Sequence, residues 1–396
     1  MRNYNVIIIG GGASGMAAAM QLKDCGVAII EANSRLGKKL LSTGNGKCNL
    51  LNFNVDVTKY NDKTFVMPTL EYFSVKDIVL FFKELGLEVI SDAEGRAYPR
   101  SEMASSVLDV LRQSISESEV DVFCDLCVKK ITQNGLFKIS TDHGDFSAKN
   151  IIFATGSVAG SGVDSLNLIS DFVKVKPFFP SLAPLRTDNF FIKGLSGVRV
   201  KCTANLVVLG KIKATEVGEV LFKDFGLSGI SIFNLSGVYS RLQNRSDAFI
   251  SLNLLSMSFD ETRNLLLERL KCLGCVSLER FFVGLFHKIL AKNIVEMAGL
   301  FIDDKMSNNL IDRLAKAITE FDIKVLGLGD LSLAQVCTGG VELEDVNPNT
   351  LEAKKVKGLY FTGEVLDIDG LSGGYNLLWA WASAAKVAQS IKKSIN

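Results

Sequence analysis

The feature that most constrains the fold is a glycine-rich turn near the start of the chain. An apolar, β-branched run, Val6–Ile9, leads directly into Gly10, Gly12 and Gly15, which have the spacing GxGxxG. Such a run suits a strand that is buried on both faces, and the glycines predict a tight turn into a closely packed helix. The unpaired amides at the start of that helix, together with its positive dipole end, would hold a diphosphate. The segment therefore predicts a phosphate-binding turn between a strand and a helix.

An acidic residue follows at the distance that a dinucleotide fold requires. A second apolar run, Val27–Ile30, ends in Glu31, whose carboxylate can accept both hydroxyls of an adenosine ribose and would repel a 2′-phosphate. Glycine turns alone are common. The order of strand, glycines, helix, strand and acidic residue favours a dinucleotide site over a simple reversal of the chain. The fingerprint itself leaves FAD and NAD as alternatives.

The composition is that of a packed globular enzyme. The chain has 396 residues, of which 47% are hydrophobic and 22% charged, and this length allows two or three folded units. With 44 basic and 43 acidic residues the net charge is +1, which argues against nucleic acid or an anionic membrane as a partner. Eight cysteines without secretory features, and no apolar run long enough to span a bilayer, predict a cytoplasmic protein with reduced thiols.

Two CxxC pairs raise the alternative of a metal site. Cys124 and Cys127 lie in the run Val120–Val128, which is predicted to be a strand, and Cys272 and Cys275 lie far downstream. Positions three apart on a strand face opposite sides, and neither pair has the Gly- or Pro-rich knuckle that brings zinc ligands together. The two histidines are isolated. We therefore predict no metal site, and the sequence singles out no catalytic residue.

The end of the chain favours FAD over NAD. The strand-like run Gly358–Phe361 leads into Thr362-Gly363-Glu364, and Gly373 and Gly374 then open a final helix. A second helix start aimed at the cofactor would place backbone amides against the pyrimidine edge of a flavin, where negative charge gathers on reduction. NAD enzymes need no such second arm, so this segment indicates FAD.

Between the two ends lies a long insertion that is first β-rich and then helical, with Leu278–Ala298 as its longest helical pattern. The whole chain predicts an α/β fold with a Rossmann-type FAD-binding domain. We expect this domain at 1–186 and 337–396, an inserted β-rich domain at 187–256 and 322–336, and a helical subdomain at 257–321.

Six motifs together carry a resemblance to a known family. They are GGGASGMAAA at 10–19, TGNGKCN at 43–49, GRAYPRS at 95–101, GEVLFKDFGLSG at 218–229, TGGV at 338–341 and GLYFTGEVLDIDGLSGGYNLLWAWAS at 358–383. With them the chain resembles the FAD-binding flavoproteins grouped with aminoacetone oxidase and a bile-acid 3-oxo-Δ4,6 reductase. The resemblance implies a glutathione-reductase-like FAD domain formed from both chain ends, with an inserted β-barrel-like domain and a helical subdomain.

The resemblance also implies a set of cofactor-binding residues. In this set the first glycines and Ser14 hold the diphosphate, Glu31 holds the ribose, and the later residues lie along the nucleotide and the flavin. The expected set is Gly10, Gly12, Ala13, Ser14, Gly15, Glu31, Ala32, Lys39, Thr43, Asn45, Gly46, Cys48, Asn49, Ala154, Thr155, Gly156, Gly363, Glu364, Asp369, Gly374, Tyr375 and Asn376. Cys48 is a candidate thiol beside the flavin, but a buried structural cysteine is the favoured interpretation.

The chain departs from the family pattern on the substrate side. Lys47 stands where family members often have Arg, Lys223-Asp224 where they have Thr-His, and Ile230 where they have Pro. The substrate-side histidine is therefore absent, and the resemblance does not assign a characterised substrate to this chain.

We thus predict an FAD-dependent oxidoreductase in which a hydride moves between flavin N5 and a small organic substrate of the amine or unsaturated-ketone class. NAD(P)H, bound transiently, or oxygen would be the redox partner. The alternative is a flavin-bearing RNA-modifying or regulatory protein, which the balanced charge disfavours.

Overall fold

The computed structural model describes residues 2–160 and 164–395, and the chain divides into two compact units. The first unit combines Met1–Phe179 with Gln335–Asn396, and the second is Pro180–Ala334. The first unit thus contains both ends of the chain. The expected division of the inserted segment into a β-rich domain and a helical subdomain stays a prediction.

Eighteen strands lie within the described residues. In chain order they are β1 (Arg2–Ile9), β2 (Val27–Ile30), β3 (Leu51–Asn52), β4 (Val89–Ser91), β5 (Arg96–Pro99), β6 (Asp121–Phe123), β7 (Val128–Asn134), β8 (Leu136–Thr141), β9 (Gly144–Phe153), β10 (Val175–Ser181), β11 (Leu185–Thr187), β12 (Arg199–Val208), β13 (Lys211–Lys223), β14 (Gly226–Ser228), β15 (Ala248–Asn253), β16 (Phe321–Leu328), β17 (Val336–Val341) and β18 (Leu359–Phe361).

The described residues also contain ten α-helices and seven short 3₁₀ helices. The α-helices are α1 (Ala13–Gln21), α2 (Lys63–Tyr72), α3 (Val75–Glu84), α4 (Ala104–Ser116), α5 (Ile230–Arg241), α6 (Phe259–Leu273), α7 (Leu278–Phe282), α8 (Lys288–Met297), α9 (Ile311–Thr319) and α10 (Tyr375–Ile395). The 3₁₀ helices are Lys38–Gly46, Val57–Lys59, Leu166–Leu168, Asn308–Leu310, Leu331–Leu333, Leu343–Asp345 and Gly363–Val365. In the part of the chain that the structure describes, no helix is both long enough and apolar enough to cross a bilayer.

The first unit is built on a seven-stranded sheet in the order β6-β2-β1-β9-β8-β7, with β18 beside β9. Strand β1 runs parallel to β2 on one side and to β9 on the other. Val6–Ile9 are at most 4% exposed, as expected for a strand in the interior of the sheet between β2 and β9. The Rossmann-type core predicted from the N-terminal fingerprint is therefore confirmed.

The last helix of the chain anchors this unit. Helix α10 carries two tryptophans that are only 1% exposed. Trp379 Nε1 donates to the Gly363 carbonyl at 3.1 Å, and Trp381 Nε1 donates to the Leu50 carbonyl at 3.0 Å. Each indole therefore ties α10 to a loop beside the predicted cofactor site. A small antiparallel sheet, β3-β5-β4, completes this side of the unit.

The second unit contains a closed antiparallel barrel in the order β11-β14-β13-β12-β15-β16. Along β12 the buried residues Cys202, Ala204, Leu206 and Val208 alternate with more exposed ones, as expected for a strand with one face inside a barrel. Side chains of the barrel and of helices α5 to α9 share one apolar core. The β-barrel-like insertion is thus confirmed.

Two of the predicted elements are wrong. The run Val120–Val128 is not one strand, because Asp125 adopts a left-handed conformation (φ +52°) and the chain turns between β6 and β7. The first CxxC pair therefore lies in a turn. The pattern Leu278–Ala298 is not one helix either, since Gly284 (φ +80°) interrupts it and leaves the separate helices α7 and α8.

Candidate cofactor site

The three fingerprint glycines are required for different reasons. A Cβ on Gly10 (φ +102°) would lie 2.5 Å from the Ala154 carbonyl oxygen, and one on Gly15 would lie 2.0 Å from the Gly10 oxygen. Gly12 differs, because its φ is an ordinary −77° and no described atom beyond Gly12 and its chain neighbours lies within 4 Å of its Cβ position. The fold thus needs Gly10 and Gly15 for its own packing, whereas the space at Gly12 is available to a ligand.

Helix α1 begins directly at this space. Its N-cap is Gly12, which offers no side-chain hydrogen bond to the first turn. The first amides of a helix have no partner within the helix, so those of Ala13 and Ser14 are presented together with the positive end of the dipole. The Ser14 hydroxyl donates to the Thr362 carbonyl at 3.4 Å, and a Cβ on Gly363 would lie 2.7 Å from Ser14 Oγ. The N-terminal and C-terminal motifs therefore meet at the helix start.

Glu31 lies at the end of β2 and is 7% exposed. One carboxylate oxygen accepts from the Gly11 amide at 2.7 Å, and the other accepts from the backbone and side-chain nitrogens of Asn33 at 2.7 and 2.6 Å. These contacts fix the carboxylate beside the glycine turn. A carboxylate has about four acceptor sites, so Glu31 retains acceptor capacity for a ribose hydroxyl. Ala32, the next member of the expected set, is exposed.

The segment that was expected to lie along a flavin is a distorted 3₁₀ helix, Lys38–Gly46. Inside it, Thr43, Gly44 and Asn45 leave helical geometry, and Asn45 has φ +54°. Such backbone strain in an exposed loop is typical of functional sites. Cys48, which follows, is completely buried, and burial raises the pKa of its thiol to about 12. The structure therefore favours the interpretation of Cys48 as a structural cysteine over a reactive thiol.

Glu364 joins four segments of the chain. Its Oε2 accepts from Lys39 Nζ at 2.8 Å, and its Oε1 accepts from Ser157 Oγ at 2.6 Å and from the Cys337 amide at 2.9 Å. Ser157 follows the small-residue turn that begins after β9, in which the Thr155 hydroxyl accepts from Ser165 at 2.7 Å. The carboxylate thus brings together Lys39, Ser157, Cys337 in β17 and the loop after β18 that contains Glu364 itself.

The C-terminal part of the expected set is closed by its own side chains. Asn376 accepts from the Gly370 amide at 2.9 Å and donates to the Gly370 carbonyl at 2.8 Å. The Asn49 side-chain nitrogen donates to the Leu51 and Ala97 carbonyls at 3.0 and 3.2 Å, and its oxygen accepts from the Gly374 amide at 3.1 Å. The Tyr375 hydroxyl contacts the Asn54 carbonyl at 3.4 Å, and burial raises its pKa. The part that Gly374, Tyr375 and Asn376 play in binding a cofactor stays a prediction.

Two residues outside the expected set hold this loop in place. The buried Tyr60 donates to the Tyr375 carbonyl at 2.7 Å. The Asn61 side chain donates to the Asp367 carbonyl at 2.8 Å and accepts from the Asp369 amide at 2.9 Å. Sequence reasoning missed both, because their partners lie about three hundred residues away and an isolated Tyr-Asn pair has no local signature.

Among the described residues, no group of three or more His, Cys, Asp or Glu side chains has a geometry that could hold a metal ion. The cysteines of both CxxC pairs are free thiols. The chemistry of the site is therefore built from backbone amides, two carboxylates and one lysine.

These groups fit a dinucleotide. The space at Gly12 and the amides of α1 suit a diphosphate, Glu31 suits an adenosine ribose, and the second glycine-rich segment near the C-terminus belongs to the same unit. The fold and the site define an FAD-dependent oxidoreductase of the Rossmann class.

The chain belongs to the family described as HI0933-like protein Rossmann domain, whose model matches residues 4–390. It is 31% identical over 394 residues to the 3-dehydro-bile acid delta(4,6)-reductase of Clostridium scindens, which covers 95% of this chain and 96% of that protein. It is 27% identical over 413 residues to a ribosomal RNA dihydrouridine synthase of Haemophilus influenzae, with 98% of each chain covered. In fold it is similar to 3-ketosteroid delta1-dehydrogenase from Sterolibacterium denitrificans in complex with 1,4-androstadiene-3,17-dione, with a TM-score of 0.54, 12% identity and both chains fully covered.

Proposed function

We propose that this enzyme reduces a carbon–carbon double bond conjugated to a carbonyl group in a small, apolar, steroid-like ketone. The observation that carries the proposal is the 31% identity to the 3-dehydro-bile acid delta(4,6)-reductase across 95% of the chain. The substrate gains a hydride at its β-carbon and a proton at its α-carbon, and NAD(P)H supplies the two electrons. FAD supplies hydride transfer at its N5 position.

The residues proposed to hold FAD are the expected set given above. The geometric support is strongest for the helix start at Gly12 to Gly15 and for Glu31, which the fold already fixes in place. Glu364 and Lys39 are proposed to lie beside them, because Glu364 directly follows the residue that faces Ser14. The chain's contribution is to orient the cofactor and to exclude water from it.

A second candidate function is the reduction of uracil bases in ribosomal RNA. It is favoured by the dihydrouridine synthase relative, which matches 98% of the chain. The chemistry is related, since the double bond of uracil is also conjugated to a carbonyl. The net charge of +1 weighs against RNA as the substrate, because RNA-binding proteins usually present a basic surface.

We also propose that the protein acts in the cytoplasm. All eight cysteines are free thiols in the structure, which suits a reducing compartment.

The test is an anaerobic half-reaction. The purified yellow protein is reduced with NADPH or NADH, and its oxidised absorbance is then followed on addition of a conjugated dienone steroid, its saturated 3-oxo analogue, a primary amine or a ribosomal RNA transcript. We expect reoxidation by the dienone alone, with the reduced steroid identified by mass spectrometry. Reoxidation by RNA alone would favour the second candidate. The amine is also added to a separate sample of the oxidised protein, and reduction of the flavin there would contradict the proposed direction of the reaction.

A further inference from the structure

Glu364 occupies an unfavourable position for a negative charge. It directly follows Gly363, and a Cβ on Gly363 would lie only 2.7 Å from Ser14 Oγ in the first turn of α1. That turn presents the amides that suit a diphosphate, which carries two negative charges. A bare carboxylate on the residue next to this contact would repel the phosphates, because like charges in a partly buried site are poorly screened.

Two donors besides Lys39 hold the Glu364 carboxylate in place. Ser157 Oγ and the Cys337 amide both donate to Oε1, at 2.6 and 2.9 Å, and they come from two different segments. The Glu364 side chain is 19% exposed, so water covers little of it. The charge is therefore fixed on the residue that follows Gly363, the residue whose Cβ position faces the start of α1.

Lys39 is the residue that can neutralise it. Its Nζ lies 2.8 Å from Glu364 Oε2, and its side chain is 36% exposed. Lys39 belongs to the distorted 3₁₀ segment, and its neighbour Lys38 is exposed. Only the second of these adjacent lysines thus forms the ion pair with Glu364.

We propose that Lys39 is a positioning residue that acts through Glu364: it cancels the carboxylate charge so that the site accepts the diphosphate of FAD. Lys39 and Glu364 together add no net charge next to the phosphates. The carboxylate, with three donors bound, retains about one acceptor site for a hydroxyl group of the cofactor.

The first experiment is a charge-rescue cycle on FAD affinity, measured by flavin fluorescence during reconstitution of the protein after FAD is removed. Lys39→Met leaves Glu364 uncompensated, and we expect it to weaken FAD binding about tenfold or more. The double variant Lys39→Met/Glu364→Gln should recover most of that loss, because no charge remains. Lys39→Arg should bind FAD nearly as well as the unaltered protein, and Lys38→Met is the matched control that should leave affinity unchanged.

The second experiment is the salt dependence of the same affinities. If Lys39 acts through Glu364, FAD affinity of the unaltered protein is nearly insensitive to NaCl, whereas that of Lys39→Met rises with salt as the repulsion is screened. A direct contact between Lys39 and the phosphates would instead make the unaltered protein lose affinity with salt. That result, or a double variant no better than Lys39→Met, would overturn the proposal.

A purely structural role for the pair is tested on the same samples. If the ion pair has only a structural role, the unfolding temperature of each FAD-free variant falls together with its FAD affinity. The double variant is then the least stable of them. If Lys39→Met does not purify in a folded state, the salt dependence of the unaltered protein and of Lys39→Arg still decides between the two modes of action.

Discussion

The two glycine-initiated helices of the first unit, α1 and α10, look alike in sequence but differ in what their starts contact. At Gly12, before α1, no described atom beyond the chain neighbours lies within 4 Å of the Cβ position, and the N-cap makes no side-chain hydrogen bond. At Gly374, before α10, φ is +101° and a Cβ would lie 2.5 Å from the Leu51 carbonyl carbon. The Gly374 amide is also bound by Asn49. At one helix start the Cβ position is open, whereas at the other the Gly374 amide and the Cβ position both meet protein atoms.

This difference shows why a glycine at a helix start does not identify a binding site by itself. Glycine is required at Gly374 because any side chain would collide with the neighbouring loop and strain the backbone. At Gly12 neither reason applies, so the need for glycine arises only when a cofactor approaches the backbone closely. The same substitution at the two positions should therefore separate a loss of fold from a loss of ligand.

The largest effect is expected for Gly374→Ala. The added Cβ combines an unfavourable φ with a backbone collision, which together should lower the free energy of unfolding of the FAD-free protein by about 4 kcal/mol. Urea denaturation measures this change. Gly86→Ala is the matched control, because Gly86 has φ +91° but open space at its Cβ position. It should cost about 1 kcal/mol; an equal loss in the two variants would mean that the collision at Gly374 is relieved.

The next largest effect is expected for Gly12→Ala. The unfolding free energy of the FAD-free protein should stay within about 0.5 kcal/mol of the unaltered value, because the methyl group meets no protein atom and φ is ordinary. FAD affinity should fall about a hundredfold, since the methyl group occupies the space for the diphosphate. Fluorescence titration with FAD measures it. Unchanged affinity would show that the phosphates do not approach the chain at Gly12.

Glu31→Ala should weaken FAD binding by about 2 kcal/mol, through loss of a charge-assisted hydrogen bond to the ribose. The Gly11 and Asn33 amides also lose their acceptor, so the FAD-free protein should become less stable as well. The two effects are separated by titrating ADP and 2′-deoxy-ADP. Removing the 2′-hydroxyl should reduce affinity for the unaltered protein but not for Glu31→Ala. If it reduces both equally, Glu31 supports the loop without binding the ribose.

The sequence predicted the α1 region more completely than the α10 region, and the reason is the range of the contacts. Strand β1, the glycine turn, α1 and Glu31 lie within 30 residues of one another, and local sequence patterns report such neighbours well. The final helix was predicted correctly as an element. Its start depends on Asn49, Tyr60 and Asn61, whose partners lie more than 300 residues away, and no periodicity in the sequence reports such pairs.

The two wrong elements have a different cause. The run Val120–Val128 has the composition of a strand, but Asp125 takes a left-handed conformation that composition does not reveal. There the chain turns back toward the end of β2, where the Leu126 amide donates to the Glu31 carbonyl at 3.0 Å. Tertiary contact at the acidic end of β2 thus overrides local strand propensity.

The smallest expected effect is a loss of stability at alkaline pH that involves Cys48, which precedes Asn49 in the loop that supports α10. Burial raises the pKa of this thiol from 9.0 to about 12, so the folded state holds a proton that the unfolded state releases at lower pH. This stabilising contribution is complete below pH 9 and is lost progressively between pH 9 and 12. Between pH 8 and pH 10 the free energy of unfolding of the unaltered protein should fall by about 1 kcal/mol more than that of Cys48→Ala.

Urea denaturation at both pH values measures this difference. Cys272→Ala, which removes an exposed cysteine, is the control that should follow the unaltered protein. If Cys48→Ala also follows the unaltered protein, the thiol ionises freely, and the loop that fixes Gly374 is more open to water than the structure shows.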